Sequence, residues 1–130
     1  MTETLLTASL EDYLEAFYEI IEEKNGVKAV DVANRLNVKR SSVTEALKHL
    51  SQKGLVNYNR YDVISLTPDG NKTAQAIIKK HKTLFEFLTN VLGIEEEEAS
   101  ENACKMEHVI SDNVLNSLIN FIENYKKSKV

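Results

Sequence analysis

The fold is decided by residues 29–66, which read AVDVANRLNVKRSSVTEALKHLSQKGLVNYNRYDVISL. A short helix is predicted over Ala29–Leu36, and Asn37 ends it. A second helix is predicted from Ser41 or Ser42 to about Lys53. Its apolar residues recur at helical spacing: Val43, Ala46, Leu47 and Leu50. Two short helices joined by a tight turn, the second with a polar and basic N-terminal half, are typical of a helix-turn-helix.

The polar face of the second helix carries side chains suited to DNA. A recognition helix buries one face and offers hydrogen-bonding side chains to base edges and phosphates on the other. The predicted DNA-binding residues here are Lys39, Arg40, Ser41, Ser42, Thr44, Glu45 and Lys48. Five basic side chains and one acidic one fall between residues 39 and 60, although the whole chain has a net charge of −4. This basic patch could be a plain solvated face, but the helix-turn-helix spacing favours double-stranded DNA as a partner.

A β-hairpin is predicted directly after the second helix. Gly54 ends that helix, and two β-prone runs, 55–58 and 63–66, flank the polar turn 59–62. A hairpin in this position is the wing of a winged helix. Arg60, at the tip of the wing, is predicted to contact a phosphate or the minor groove.

A helix is also predicted before this module, from Ser9 to Ile21. Ser9 is the expected N-cap, with Asp12 at the N3 position of a capping box. Gly26 is the expected left-handed residue after the helix. Asp12 and Glu15 lie three residues apart at one edge of its apolar stripe.

Three further helices are predicted after the hairpin. Thr67, as N-cap, and Pro68, at the first helical position, begin a long helix that ends near Gly93. The next covers 95–108, and the last begins at Ser111 or Asp112. The predicted buried stripe of the last helix is Val114, Leu115, Leu118, Ile119, Phe121 and Ile122. The expected fold is therefore mainly α, with a winged helix-turn-helix and its two-stranded wing in residues 1–70 and an all-helical domain in residues 71–130.

Potential metal ligands are concentrated near residue 105. Cys104, Glu107 and His108 stand at i, i+3 and i+4, which places them on one face of a helix. Thiolate, carboxylate and imidazole are all ligands of divalent transition metals. His81 falls within the apolar stripe of the long helix and is predicted to face inward.

Each of these residues also has an ordinary structural explanation. Cys104 alone is more often a small buried hydrophobic residue, and an inward histidine such as His81 is usually a core residue with its hydrogen bonds satisfied. Asp12 would serve as a cap and Glu15 as solvated surface.

Composition narrows the remaining possibilities. The chain has 130 residues, a single cysteine and no apolar run long enough for a membrane span. The N-terminus lacks the basic segment of a signal peptide. We therefore expect no membrane association and a reducing, cytoplasmic location.

Several separated motifs resemble the DtxR/MntR family of iron- and manganese-dependent transcriptional repressors. They are residues 9–15 (SLEDYLE), 41–44 (SSVT), 66–70 (LTPDG), His81 and 104–112 (CKMEHVISD). The resemblance implies a homodimer that binds palindromic operator DNA when loaded with Mn(II) or Fe(II) and represses metal-uptake genes. It also implies Asp12, Glu15, His81, Cys104, Glu107 and His108 as metal ligands. The metal hypothesis gains because these six candidates come from three helices that must pack together.

The sequence combines features of two branches of that family. Asp12 and Glu15 resemble the manganese branch, whereas Cys104 resembles the iron branch. Phe85 and Ser100 stand where the iron branch has ancillary-site ligands. Thiolate favours Fe(II), Co(II) or Zn(II), whereas the carboxylates suit Mn(II), so both Mn(II) and Fe(II) stay open.

Two rival hypotheses remain. One is a winged-helix regulator that responds to another ligand or to none. The other is an enzyme that uses Cys104 as nucleophile and His108 as base, but the sequence shows no Gly-rich loop or evident oxyanion hole to support it.

Overall fold

The computed structural model describes residues 6–58 and 64–128. The chain forms two compact units, Met1–Gln75 and Ala76–Val130. One helix, Pro68–Glu86, runs without a break across the division between them. The domain boundary expected after residue 70 stays a prediction.

The first unit contains three helices and a two-stranded sheet. The helices are α1 (Ala8–Lys24), α2 (Ala29–Leu36) and α3 (Arg40–Gln52). Strands β1 (Val56–Tyr58) and β2 (Ile64–Leu66) pair antiparallel, with Val56 opposite Leu66 and Tyr58 opposite Ile64. The largest fully buried aliphatic and aromatic side chains of this unit come from the three helices: Leu14, Phe17, Ile20, Val32, Val43, Leu47 and Leu50. The predicted mainly α fold with a small two-stranded sheet is confirmed.

The ends of α1 differ from the prediction. Thr7, not Ser9, is the N-cap, because the Thr7 side chain accepts a hydrogen bond from the Leu10 N–H at 3.1 Å. Asp12 therefore lies beyond the first turn and is not part of a capping box. At the other end, Asn25 and not Gly26 takes the left-handed conformation, with φ 63°. Asparagine tolerates this conformation, so the left-handed residue comes one position before the glycine. The helix itself continues to Lys24, beyond the expected end at Ile21.

The helix-turn-helix closely follows the prediction. Helix α2 has the predicted bounds, and Asn37 ends it in the left-handed conformation with φ 56°. Helix α3 begins at Arg40, slightly before the expected Ser41 or Ser42, with Lys39 as its N-cap residue. Gly54, with φ 76°, ends the turn after α3.

The rest of the chain is helical. Helix α4 (Pro68–Glu86) continues into a π-helical turn, Phe87–Val91, before the left-handed Gly93. The predicted start of α4 is confirmed, since the Thr67 hydroxyl accepts the Gly70 N–H at 2.9 Å. Helices α5 (Glu96–Met106) and α6 (Asp112–Ser128) follow. No helix in 6–58 or 64–128 is long and apolar enough to cross a membrane.

The predicted buried stripe of α6 is partly wrong. Leu115 and Ile122 are buried, but Val114 is 45% exposed and Phe121 is 51% exposed. Helical spacing correctly places these residues near one another. However, among residues 6–58 and 64–128 of the single chain, no element covers this side of α6 completely.

Candidate metal centre and DNA-binding surface

Helix α3 has the two faces that a recognition helix needs. One face is buried through Val43, Ala46, Leu47 and Leu50. The exposed residues on and just before the helix are Lys39, Arg40, Ser41, Ser42, Glu45 and Lys48, with Thr44 half-buried. The Thr44 hydroxyl donates to the Arg40 carbonyl at 3.2 Å, which uses its donor within the helix. Arg60, the remaining predicted DNA-binding residue, lies outside the described residues.

The candidate metal centre is built in the second unit from α4 and the end of α5. His81 lies on α4, Cys104 lies on α5 and Glu107 is the residue at the C-terminal end of α5. One potential ligand atom from each of these three side chains lies within 4.8 Å of the others. The structure thus brings together a thiol, an imidazole and a carboxylate that are separated by up to 26 residues in sequence.

Glu107 is at the centre of this arrangement. Its Oε1 lies 2.8 Å from His81 Nδ1, and its side chain is completely buried. Its Oε2 is also buried and has no hydrogen-bond partner among the residues that the structure describes. The Nε2 atom of His108 lies 3.7 Å from this Oε2, within ion-pair range but beyond a hydrogen bond.

The predicted helical face for Cys104, Glu107 and His108 is modified by the end of α5. The helix stops at Met106, yet the Glu107 N–H still donates to the Ala103 carbonyl at 2.9 Å. Glu107 therefore keeps its helical relation to Cys104. His108 lies in the turn that follows, so it approaches Glu107 rather than extending the helical face.

An open acidic groove borders Cys104. It has a volume of about 690 Å³ and is lined by Phe85, Glu95, Glu96, Glu97, Ser100, Glu101 and Cys104. Phe85 and Ser100, at the ancillary-site positions of the iron branch, are therefore neighbours across one groove. Cys104 itself is exposed, which contradicts its interpretation as a buried hydrophobic residue.

Asp12 and Glu15 lie on α1 in the first unit. Asp12 is exposed and Glu15 is half-buried. Both remain predicted ligands.

Lys80, next to His81 on α4, was not singled out from the sequence. Its Nζ donates to the Ile110 carbonyl at 3.3 Å and lies 3.9 Å from Asp112 Oδ1. Nothing in the local sequence marks this contact, because the two partners are 30 residues apart.

Two family models match consecutive parts of the chain. The N-terminal DNA-binding domain of iron-dependent repressors matches residues 5–64, and their metal-binding and dimerisation domain matches residues 67–129. The chain belongs to the iron-dependent repressor family. Members of this family are metal-dependent transcriptional regulators and not enzymes, so the enzyme hypothesis for Cys104 and His108 is not supported.

Individual relatives agree with this family assignment. An uncharacterized HTH-type transcriptional regulator of Methanocaldococcus jannaschii, MJ0568, is 45% identical over 122 residues, which cover 93% of this chain and 98% of the relative. The HTH-type transcriptional regulator MntR of Bacillus pumilus is 32% identical over 95% of this chain and 85% of its own length.

A solved structure of a relative supports the assignment at the level of fold. The structure of the manganese regulator SloR superposes with a TM-score of 0.80 at 30% identity, covering 91% of this chain. This chain spans about half of the SloR chain, 55% of its length.

The residues of the cluster fit a divalent transition metal. A buried carboxylate oxygen without a hydrogen-bond donor carries a desolvation cost that a cation would offset. Imidazole and thiolate beside it are suitable ligands for iron, and imidazole and carboxylate for manganese. The donor set at His81, Cys104 and Glu107 therefore matches the metal dependence of the family.

Proposed function

We propose that this chain is a repressor that binds operator DNA as a homodimer when loaded with Mn(II) or Fe(II), and so controls metal-ion homeostasis. The observation that carries this proposal is the cluster of His81, Cys104 and Glu107, in which a buried Glu107 oxygen has no hydrogen-bond partner among the described residues. We expect the protein to act in the cytoplasm, where the operator DNA would lie.

The proposed metal-binding set is larger than the observed cluster. His108 is included because its Nε2 lies 3.7 Å from the Glu107 carboxylate. Asp12 and Glu15 are included on the strength of the sequence resemblance. Carboxylates from α1 would add the hard oxygen ligands that Mn(II) prefers, whereas Cys104 would favour Fe(II).

The proposed DNA contacts lie on α3 and the wing. Lys39, Arg40 and Lys48 would contact phosphates, which supply affinity that falls with salt. Ser41, Ser42, Thr44 and Glu45 would lie against base edges. Arg60 would contact the backbone or the minor groove from the wing.

Metal binding is proposed to act through the arrangement of two recognition helices. Ligands from α1, α4 and α5 that share an ion would restrict the position of α1 relative to the other two helices. In a homodimer, successive major grooves of a palindromic operator lie about 34–36 Å apart. The loaded dimer would hold its recognition helices at this spacing, whereas the metal-free dimer would sample several spacings and bind weakly.

The metal is tested by direct counting. Chelator-stripped protein is dialysed anaerobically against Mn(II) or Fe(II), and the ions bound per chain are measured. We expect one or two tightly held ions, and two would indicate that Asp12 and Glu15 contribute to a second position. Failure to bind either ion would overturn the proposed function.

The DNA activity is tested without knowledge of the operator. Duplexes that bind the protein are selected from a randomised pool in the presence of Mn(II). Binding of the selected duplexes is then measured by gel shift with either Mn(II) or EDTA. We expect the selected duplexes to share a sequence with two-fold symmetry and to bind the protein only with metal. The Glu107→Ala and His108→Ala variants should show no metal-dependent gel shift. DNA binding that is the same with Mn(II) and with EDTA would instead support a winged-helix regulator that responds to another ligand or to none.

A further inference from the structure

The turn between α5 and α6 is held against α4 at both ends. At its start, His81 Nδ1 lies 2.8 Å from Glu107 Oε1. At its end, Lys80 Nζ donates to the Ile110 carbonyl at 3.3 Å. Two neighbouring residues of α4 therefore hold a segment of only four residues, 107–110, that contains two of the proposed metal ligands.

The lysine contact is partly shielded from solvent. The Lys80 side chain is 22% exposed, and its ammonium also lies 3.9 Å from the carboxylate of Asp112 at the start of α6. A hydrogen bond from a charged donor is stronger than one between neutral groups. Partial burial limits competition from water, so this contact orders the turn more than an exposed surface pair would.

The backbone of the turn needs such support. The Val109 and Ile110 N–H groups both donate to the Met106 carbonyl, at 3.0 and 3.2 Å, which closes the turn at its start. The Ile110 carbonyl lies beyond the last helical residue of α5 and before α6, where no helical hydrogen bond would fix it. Lys80 supplies a donor to this carbonyl.

We infer that Lys80 is a positioning residue that holds the 107–110 turn against α4 and so presents Glu107 and His108 to the metal ion bound with His81. This inference rests on the proposed function, because it concerns the same metal centre. Outer groups that orient metal ligands are typically worth about 10–100-fold in metal affinity.

Charge and positioning make opposite predictions for Lys80. A positive charge near a cation site weakens metal binding, so its removal by itself would strengthen binding. Loss of the tether would instead weaken binding. A Lys80→Met variant, which keeps the length of the side chain but has no donor, separates the two effects.

The test uses Co(II) as a spectroscopic probe of the full-length protein. Co(II) affinity and the visible and near-ultraviolet spectrum are compared for wild type, Lys80→Met, Lys80→Arg and the control Lys79→Met, which removes an exposed neighbouring charge on the same helix. We expect Lys80→Met to lower Co(II) affinity about tenfold or more and to alter the ligand-field bands. Lys80→Arg should restore most of the affinity, and Lys79→Met should match wild type.

The other outcomes are distinguishable. Thermal unfolding in EDTA reports any general loss of stability, and a purely structural role would lower the Tm without changing Co(II) affinity or the bands of the loaded protein. Unchanged or tighter Co(II) binding by Lys80→Met would overturn the positioning role. Wild-type protein that does not bind Co(II), Mn(II) or Fe(II) would overturn the proposed function itself.

Discussion

Burial of the Glu107 carboxylate has a desolvation cost that binding of a cation would offset. Replacing it by glutamine keeps its shape but removes the negative charge. We expect Glu107→Gln to lower Co(II) affinity by at least about a hundredfold, since loss of an outer-shell group alone costs up to about that much. Stability in EDTA should be unchanged or higher, because the buried oxygen of the amide is cheaper to desolvate than that of a carboxylate.

Metal titration and thermal unfolding in EDTA check both parts of this prediction. Glu101→Gln, which removes an exposed acid from the same helix, is the matched control and should bind as wild type does. Wild-type affinity in Glu107→Gln would remove Glu107 from the site.

Cys104 is expected to decide which metals the site prefers. A thiolate strengthens binding of Fe(II) and Co(II) far more than binding of Mn(II). Cys104→Ser should therefore lower Fe(II) and Co(II) affinity by about tenfold or more, with a much smaller effect on Mn(II). It should also abolish the sulfur-to-cobalt charge-transfer absorption. Equal losses for all three ions, or a retained charge-transfer band, would show that the sulfur is not a ligand.

At the scale of elements, the start of α4 depends on one glycine. A Cβ atom at Gly70 would lie 1.9 Å from the carbonyl oxygen of Leu55, just before β1. The Leu55 carbonyl belongs to the backbone and cannot rotate aside as a side chain could, so the helix must shift away from the sheet to accept a Cβ atom. We expect Gly70→Ala to lower the free energy of unfolding by about 1–3 kcal/mol. Urea denaturation measures this loss.

Gly26 offers a control for the same substitution in the same unit. A Cβ atom there would meet no heavy atom within 4 Å. Gly26→Ala should be close to neutral. A Gly70→Ala variant as stable as Gly26→Ala would mean that α4 and the Leu55 backbone are not this close.

A surface ion pair between α1 and α2 should make stability depend on pH. Arg35 donates to Glu23 at 2.7 Å and lies 3.6 Å from Glu19. The hydrogen bond from Arg35 lowers the pKa of Glu23 below its usual 4.5. Because the folded-state pKa is the lower one, the pair stabilises the fold above pH 4.5, and this contribution is lost as the pH falls through the lowered pKa.

Arg35→Met should therefore be mildly destabilising at neutral pH. The difference from wild type should shrink below pH 4.5, the usual pKa of Glu23, and disappear below its lowered pKa. Urea denaturation at a series of pH values gives this difference directly. A difference that stays constant down to pH 2 would assign the effect of Arg35 to packing rather than to the ion pair.

At the scale of the whole molecule, the exposed apolar side of α6 is the expected dimer contact. Phe121 lies edge-on to Phe87, with ring centroids 6.1 Å apart, and borders a groove of about 370 Å³ that also includes Val114 and Leu118. Residues 67–129 match a metal-binding and dimerisation domain. An exposed apolar face within such a domain is typical of a subunit interface.

Phe121→Glu should therefore weaken self-association by at least about tenfold, equivalent to about 1.4 kcal/mol. Analytical ultracentrifugation measures the monomer–dimer equilibrium, with Val30→Glu, at an exposed valine of the first unit, as the control. Metal binding by Phe121→Glu should persist, whereas operator binding should be lost. An unchanged dimer would place the interface elsewhere.

Local patterns in the sequence were sufficient to predict the helices and strands. The bounds of α2 and the start of α4 at Pro68 follow from apolar spacing and cap chemistry, which act within a few residues. The same information misplaced both ends of α1. Thr7 and Ser9 are both competent N-caps, and Asn25 and Gly26 can both adopt the left-handed conformation that ends a helix. The choice between them depends on small differences in local energy.

The sequence by itself determined the helices, the winged-helix pattern and the residue types of the candidate metal centre. Only the tertiary structure decided that Glu107 is buried against His81, that Cys104 remains exposed, that Phe121 is left uncovered and that Lys80 reaches Ile110. The physical reason is range. Helix formation and capping depend on neighbours within about one turn. Burial depends on residues distant in sequence, and the two contacts between α4 and the α5–α6 turn join residues that are 26 and 30 positions apart.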